Sequence, residues 1–222
     1  MRPVLGLVTI GQTPRPDLEA EFRRHAPDAD VRTVGALDGL TNDEIASLRA
    51  GPADYPLLTR LADGSMAIVD RTRLVPHIER ALAELHDRGA RLTVLLCAGG
   101  FPDLRSRVPV LVPGRLLPGL VRAVTARGPI GIVTPTESQV DEAREKWRAD
   151  GFDVRVTFAS PFDEQEIDRA AADMREPSLR LVVLDCMGHN PDYRRVFAAR
   201  TGHPVMLAQS AVARIAAEML EV

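Results

Sequence analysis

Two stretches of this chain nearly repeat one another: Leu92-Thr93-Val94-Leu95-Leu96-Cys97-Ala98-Gly99-Gly100 and Leu181-Val182-Val183-Leu184-Asp185-Cys186-Met187-Gly188-His189. Each is a short apolar or β-branched run that closes on a cysteine and then on small residues. That is the pattern of a buried strand passing into a loop. The chain holds two cysteines in 222 residues, and both stand at this point. In open α/β sheets, ligands bind beyond the carboxyl ends of the strands. Two such ends facing each other would aim two thiols at one ligand.

A second echo sets the domain plan. Leu5-Gly6-Leu7-Val8-Thr9-Ile10-Gly11 returns as Ile130-Gly131-Ile132-Val133-Thr134-Pro135-Thr136. The first copy opens a run of expected elements. These are a strand over 4–10, a helix over 16–25 and a strand over 31–37. A short helix follows at the capping box Thr41-Asn42-Asp43-Glu44. A hairpin spans 57–61 and 66–69 around Ala62-Asp63-Gly64-Ser65, and a helix over 73–88 ends at Gly89. The first cysteine strand, a strand over 108–112 and a helix over 113–126 come next. After the restart the same reading gives a helix over 137–150, a strand over 154–158 and a helix over 164–174. The second cysteine strand over 179–185, a helix over 191–200, a strand over 204–207 and a helix over 210–220 complete the chain. Strand–helix alternation predicts an α/β fold with mostly parallel sheets flanked by helices. The restart predicts two lobes of similar build.

Composition removes several function classes. Charged residues make up 27% and hydrophobic ones 45%, enough for a sizeable core in a chain that stays soluble. A net charge of −3 without a basic block argues against nucleic-acid binding. No apolar run approaches the roughly 20 residues of a membrane span. Met1-Arg2-Pro3-Val4-Leu5-Gly6-Leu7-Val8 lacks the long apolar core and small-residue cleavage site of a signal peptide. A cytoplasmic location is expected, where two cysteines do not form a disulfide framework. Metal-ligand spacings of the C-x-x-C or H-x-x-x-H type are absent, so neither metal nor organic cofactor is expected.

The residues at the strand ends suggest proton chemistry. Moving a proton between the two faces of a carbon beside a carboxylate calls for an acid and a base on opposite sides. Thiol and thiolate serve well near neutral pH, although a free cysteine with pKa about 8.5 is only a few per cent ionised at pH 7. Helix N-termini after each cysteine strand would favour the thiolate and hold a carboxylate through backbone N–H groups. Gly99, Gly100 and Gly188 would let a substrate approach that backbone. Thr9 and Thr134 end the two matching strands and are candidate carboxylate partners, or they bind local backbone. Gln12, Thr13 and Arg15 crowd the first loop, where Arg15 could form a bidentate carboxylate clamp or be a solvated surface arginine. Thr136 lies in the matching second loop, where it or Glu137 could equally cap the next helix. His189 could orient or activate Cys186, or it is an exposed residue near a helix start. Asp185 should face away from the thiol, into a structural salt bridge. The competing reading makes both cysteines small buried hydrophobes.

Thr9-Ile10-Gly11-Gln12-Thr13-Pro14-Arg15, Leu184-Asp185-Cys186-Met187-Gly188 and the ending Ala211-Val212-Ala213-Arg214-Ile215-Ala216-Ala217-Glu218 resemble the AroM family. That family resembles in turn the aspartate/glutamate racemase superfamily. The resemblance implies two pseudo-symmetric α/β lobes, with the C-terminal helix returning to the first. On this reading 1–112 together with 208–222 form one lobe and 113–207 the other. It also implies an active site between the lobes, with Cys97 and Cys186 as the catalytic pair. Substrate contacts would come from Thr9, Gln12, Thr13, Arg15, Ala98, Gly99, Gly100, Thr134, Thr136, Met187, Gly188 and His189. Amino-acid racemases typically carry Asn-Thr and Thr-His after their two cysteines. Ala98-Gly99 and Met187-Gly188 stand here instead, which argues against an amino-acid substrate. The expected activity is therefore cofactor-independent proton transfer on a small carboxylate-bearing molecule, in a chain that a homodimer would also suit. A single-cysteine isomerase or decarboxylase and a non-catalytic metabolite-binding protein are the alternatives.

Overall fold

The computed structural model describes residues 2–51, 54–125 and 128–220. The chain divides into two units, Met1–Cys97 with Phe101–Pro113 and Val212–Val222, and Ala98–Gly100 with Gly114–Ala211.

In the first unit, β1 (Val4–Thr9), α1 (Pro16–His25), β2 (Asp30–Gly35) and α2 (Asn42–Ser47) follow in order. β3 (Pro56–Arg60), β4 (Met66–Asp70), α3 (Arg71–Asp87), β5 (Ala90–Leu95) and β6 (Val110–Leu111) complete it. The main sheet is parallel and runs β2-β1-β5-β6. A parallel sheet is covered on both faces, so its strands are apolar throughout rather than alternating. β1 obeys this, with Leu5 through Thr9 all buried. Its core gathers Val8, Val34, Leu74, Ile78, Leu82, Leu85 and Leu95, and Cys97 packs against that cluster. β3 and β4 form the expected antiparallel hairpin. The capping box at Thr41 closes as its spacing requires, with Thr41 and Glu44 bonding each other's backbone N–H.

The second unit repeats the plan. It holds α4 (Pro113–Val124), β7 (Ile130–Thr134), a 3₁₀ turn over Glu137–Gln139, α5 (Val140–Ala149) and β8 (Val154–Phe158). α6 (Glu164–Asp173), β9 (Val182–Leu184), α7 (Pro191–Thr201), β10 (Val205–Leu207) and α8 (Ala208–Leu220) follow. Its sheet runs β8-β7-β9-β10, again parallel. With β7 matched to β1, β8 to β2, β9 to β5 and β10 to β6, this is the strand order of the first unit. α8 starts in the second unit, and from Val212 onward it belongs to the first. The chain is thus an α/β fold of two like units with a returning C-terminal helix.

Several boundaries differ from the sequence reading. α3 begins two residues early because Asp70, not a later residue, caps it and accepts from the Arg73 N–H. A 3₁₀ turn stands at 137–139, and the α-helix proper starts only at Val140. The strand expected over 179–185 shrinks to three residues, since Arg180 and Leu181 meet Pro129 and Gly131 outside the named ladder. The last helix starts at Ala208, two residues before the expected Ser210. The end expected for α4, at Ala126, lies outside the described residues.

Gly6 and Gly131 hold matching places in β1 and β7, and each sits too close to its neighbours for a side chain. A Cβ on Gly6 would stand 2.8 Å from Thr93 Cγ2, and one on Gly131 would stand 2.6 Å from Met174 Sδ. Thr93 is β-branched and fixed in β5, whereas Met174 is a flexible thioether. Gly6→Ala should therefore destabilise by about 1–3 kcal/mol, and Gly131→Ala by less. Urea unfolding of the two variants checks that order.

Candidate active site

Each sheet ends in the same way. In the first unit Val8 lies opposite Leu95, and the Leu96 N–H donates to the Val8 carbonyl at 2.8 Å. In the second, Val133 lies opposite Leu184, and the Asp185 N–H donates to the Val133 carbonyl at 2.9 Å. Cys97 and Cys186 are each the next residue along. The neighbouring strands end alike too, for Ala36 N–H bonds Thr9 O and Ala159 N–H bonds Thr134 O, each at 2.9 Å. Both cysteines are thiols and both are half-buried.

The polar residues of the first loop are taken up by the first unit itself. Gln12 spans two segments: its Nε2 donates to Leu37 O at 3.1 Å, and its Oε1 accepts from Ala62 N–H at 2.9 Å. Thr13 gives both its N–H and its hydroxyl to the Asp38 carboxylate, at 2.8 and 2.9 Å. Arg15 is buried, and its fork holds Asp17 through Nε at 2.9 Å and Nη2 at 2.7 Å. Burial pushes the Asp17 carboxyl up, but the Arg15 hydrogen bond and charge outweigh it and leave the group below its usual value. Thr9 Oγ1 accepts from Gly11 N–H at 3.4 Å and lies 3.5 Å from Arg15 Nη1. The polar density that marked this loop as a binding surface thus serves to fold it.

In the second unit Thr134 is buried, and its hydroxyl donates to Thr136 O at 3.0 Å. The Thr136 hydroxyl lies 3.1 Å from Ser138 Oγ and caps no backbone N–H. After Cys186 the chain turns tightly. The Gly188 N–H donates to Cys186 Sγ at 3.3 Å, and the His189 N–H to the Cys186 carbonyl. Met187 and His189 are buried. His189 Nε2 donates to Ala159 O at 2.8 Å, its ring stacks on Tyr193, and its Nδ1 is buried without a partner. Burial dominates its titration: the Ala159 bond and the Asp185 charge favour the cation, yet the pKa is pushed down to about 4. His189 is therefore a neutral imidazole at ordinary pH, not a cation paired with a thiolate.

The helix N-termini do not fill the role expected of them. α7 starts at Pro191, and Asn190 Oδ1 already accepts from Asp192 and Tyr193 N–H. After Cys97 no helix begins until Pro113. Ala98–Gly100 instead packs in the second unit, where a Cβ on Gly114 would come within 2.4 Å of the Gly99 carbonyl oxygen.

Asp185 forms the salt bridge expected of it. Its Oδ2 accepts from Lys146 Nζ at 2.6 Å and from Trp147 Nε1 at 2.7 Å. Lys146 Nζ also donates to Ala98 O at 2.9 Å. Neither α5 residue was singled out from sequence. The available signal was their rarity: Lys146 is the chain's one lysine and Trp147 its one tryptophan.

With this geometry in place, comparison with known proteins is informative. The model for the AroM protein family matches residues 5–220. The chain belongs to the AroM family. A search of curated proteins found no match. Among solved structures, the fold is shared with an allantoin racemase from Klebsiella pneumoniae, at 16% identity and a TM-score of 0.66, covering 98% of this chain and 87% of that one. An unliganded arylmalonate decarboxylase aligns at 14% identity and a TM-score of 0.64, covering 98% and 92%. The maleate isomerase Iso from Pseudomonas putida S16 aligns at 16% and 0.63, covering 95% and 90%. This AroM chain therefore has the racemase fold that the sequence motifs suggested. Among the described residues no helix is long and apolar enough to cross a membrane, and no group of His, Cys, Asp and Glu is arranged to hold a metal ion.

The buried imidazole of His189 has a consequence for stability. Its folded pKa near 4 lies below the ordinary value of 6.5. The unfolded chain therefore binds the extra proton between these values, and stability is full above 6.5 and falls as pH drops toward 4. The loss attributable to this residue is about 3 kcal/mol. Urea unfolding against pH should show His189→Gln with a flatter acid limb than the wild type.

Proposed function

We propose that this AroM protein is a racemase-like isomerase that moves a proton at a carbon beside a carboxylate, using Cys97 and Cys186 without metal or organic cofactor. The observation that carries the proposal is the identical register of the two cysteines, each one residue past the last ladder bond of a like sheet. One thiolate takes the proton and becomes a thiol, and the electron pair of the broken C–H bond passes into the adjacent carboxylate as an enediolate. The other thiol returns a proton to the opposite face and becomes the thiolate. Protons and charge balance over the cycle, with the two sulfurs exchanging roles. Gly188 N–H supports the anionic form of Cys186. Because Gln12, Thr13 and Arg15 are committed to protein partners, substrate binding falls to the backbone around Ala98–Gly100 and Met187–His189.

A second reading has Cys186 act alone, in an isomerisation or decarboxylation. It is favoured by the surroundings of Cys186, whose turn combines a sulfur-bound N–H with an adjacent buried ion pair. The folds of allantoin racemase, arylmalonate decarboxylase and maleate isomerase accommodate either course.

The test is deuterium incorporation at carbon from heavy water, across small carboxylic acids that include allantoin-related, malonate and maleate compounds. Cys97→Ala and Cys186→Ala should each lower exchange by about 10²–10⁴-fold while unfolding curves stay unchanged. Loss in Cys186→Ala alone supports the single-thiol reading. Exchange that survives the double replacement overturns both readings.

A further inference from the structure

Asp185 occupies the place in the second sheet that Leu96 holds in the first. A charge in a position suited to an apolar side chain must be paired or it destabilises the fold. The partners come from consecutive residues of α5, and both bond the same oxygen, Oδ2. One of them does more. Lys146 Nζ lies 2.6 Å from Asp185 Oδ2 and 2.9 Å from the Ala98 carbonyl, with its side chain only 13% exposed. Ala98 directly follows Cys97, and Asp185 directly precedes Cys186. A lysine suits this task because its compact ammonium can direct separate hydrogens at two oxygens in different directions, whereas a guanidinium presents a planar fork. The chain uses arginine for every other basic side chain among its 28 lysines and arginines.

We infer that Lys146 is a positioning residue for both thiols, its single ammonium fixing the backbone just past Cys97 and the carboxylate just before Cys186. Its importance for turnover rests on the proton-transfer reading above; its effect on the thiols does not. Trp147 is the internal contrast. It bonds Asp185 but not Ala98, so it supports the Cys186 turn alone.

Two measurements test this. The first uses the wild-type chain, in which ¹⁵N-labelled lysine gives a single Nζ resonance. A clamped ammonium shows slow hydrogen exchange, and Asp185→Asn should speed that exchange by about tenfold or more, the scale of an interaction equivalent to one pKa unit. Fast exchange in the wild type, as for a solvated surface lysine, overturns the inference. The second is the iodoacetamide labelling rate of each cysteine, read by mass spectrometry. Lys146→Met should change the rate several-fold at both cysteines, and Trp147→Phe at Cys186 only. The double variant Lys146→Met with Asp185→Asn leaves no lone buried charge and serves where the single variant folds poorly. An unmoved Cys97 in the Lys146 variants, or a Trp147→Phe variant that moves both cysteines, overturns it. Neither measurement involves turnover. A wild type without deuterium exchange but with the expected labelling pattern would remove the proposed reaction and keep the clamp. The reverse result would remove only the clamp.

Discussion

The structure depends on where two parallel ladders stop. In each unit the central strand gives its last bond to the cysteine-bearing strand through a valine carbonyl, to Leu96 in one and to Asp185 in the other. Because strand residues alternate in direction, that last bond decides which way the next side chain points. A slip of one residue would reverse every side chain of the strand, and the tight fit at Gly6 and Gly131, where no side chain has room, resists it. Packing of Leu92, Val94 and Leu95, and of Val182, Val183 and Leu184, holds the strand whose end carries the sulfur. Chemistry at the strand end is set by hydrophobic packing along the strand.

Much of this was legible in the sequence because it depends on local pattern. The unbroken apolar runs of β1, β5, β7 and β9 mark strands covered on both faces. The Thr41–Glu44 spacing specifies a capping box, and Gly89, Gly151 and Gly202 mark helix ends, each adopting positive φ. The echo between Leu5–Gly11 and Ile130–Thr136 reflects a real equivalence of strand order. What pattern could not supply was the destination of polar side chains. Gln12 reaches Ala62, 50 positions away, and Thr13 reaches Asp38, 25 away. A loop rich in such groups looks the same in sequence whether they face a ligand or one another. For the same reason nothing in the local sequence pattern singles out Lys146 within the helix expected over 137–150. Its partners lie 39 and 48 positions away, and no local periodicity encodes them.

His189 shows how burial overrides chemical expectation. Three residues beyond a cysteine, an imidazole suggests a base or a paired cation. Its surroundings favour the neutral form instead: a backbone carbonyl takes the Nε2 proton, an aromatic ring covers one face, and no solvent reaches it. That ring belongs to Tyr193, which is likewise held protonated, its pKa pushed up to about 12 chiefly by burial while its hydroxyl donates to Ser160 O at 2.6 Å.

The two units therefore share a scaffold without sharing an electrostatic design. In the first, the strand-end position beside the cysteine is an apolar Leu96, and the loop charges neutralise each other locally through Arg15 and Asp17. In the second, the same position carries a carboxylate, held by an ammonium and an indole N–H in a low-dielectric setting where each bond is stronger than in water. The proton transfer proposed above needs one sulfur as base and the other as acid at the start of each turnover. The difference between Leu96 and Asp185 is thus a difference of charge at one position of a repeated fold, and Lys146 keeps the carboxylate from standing alone.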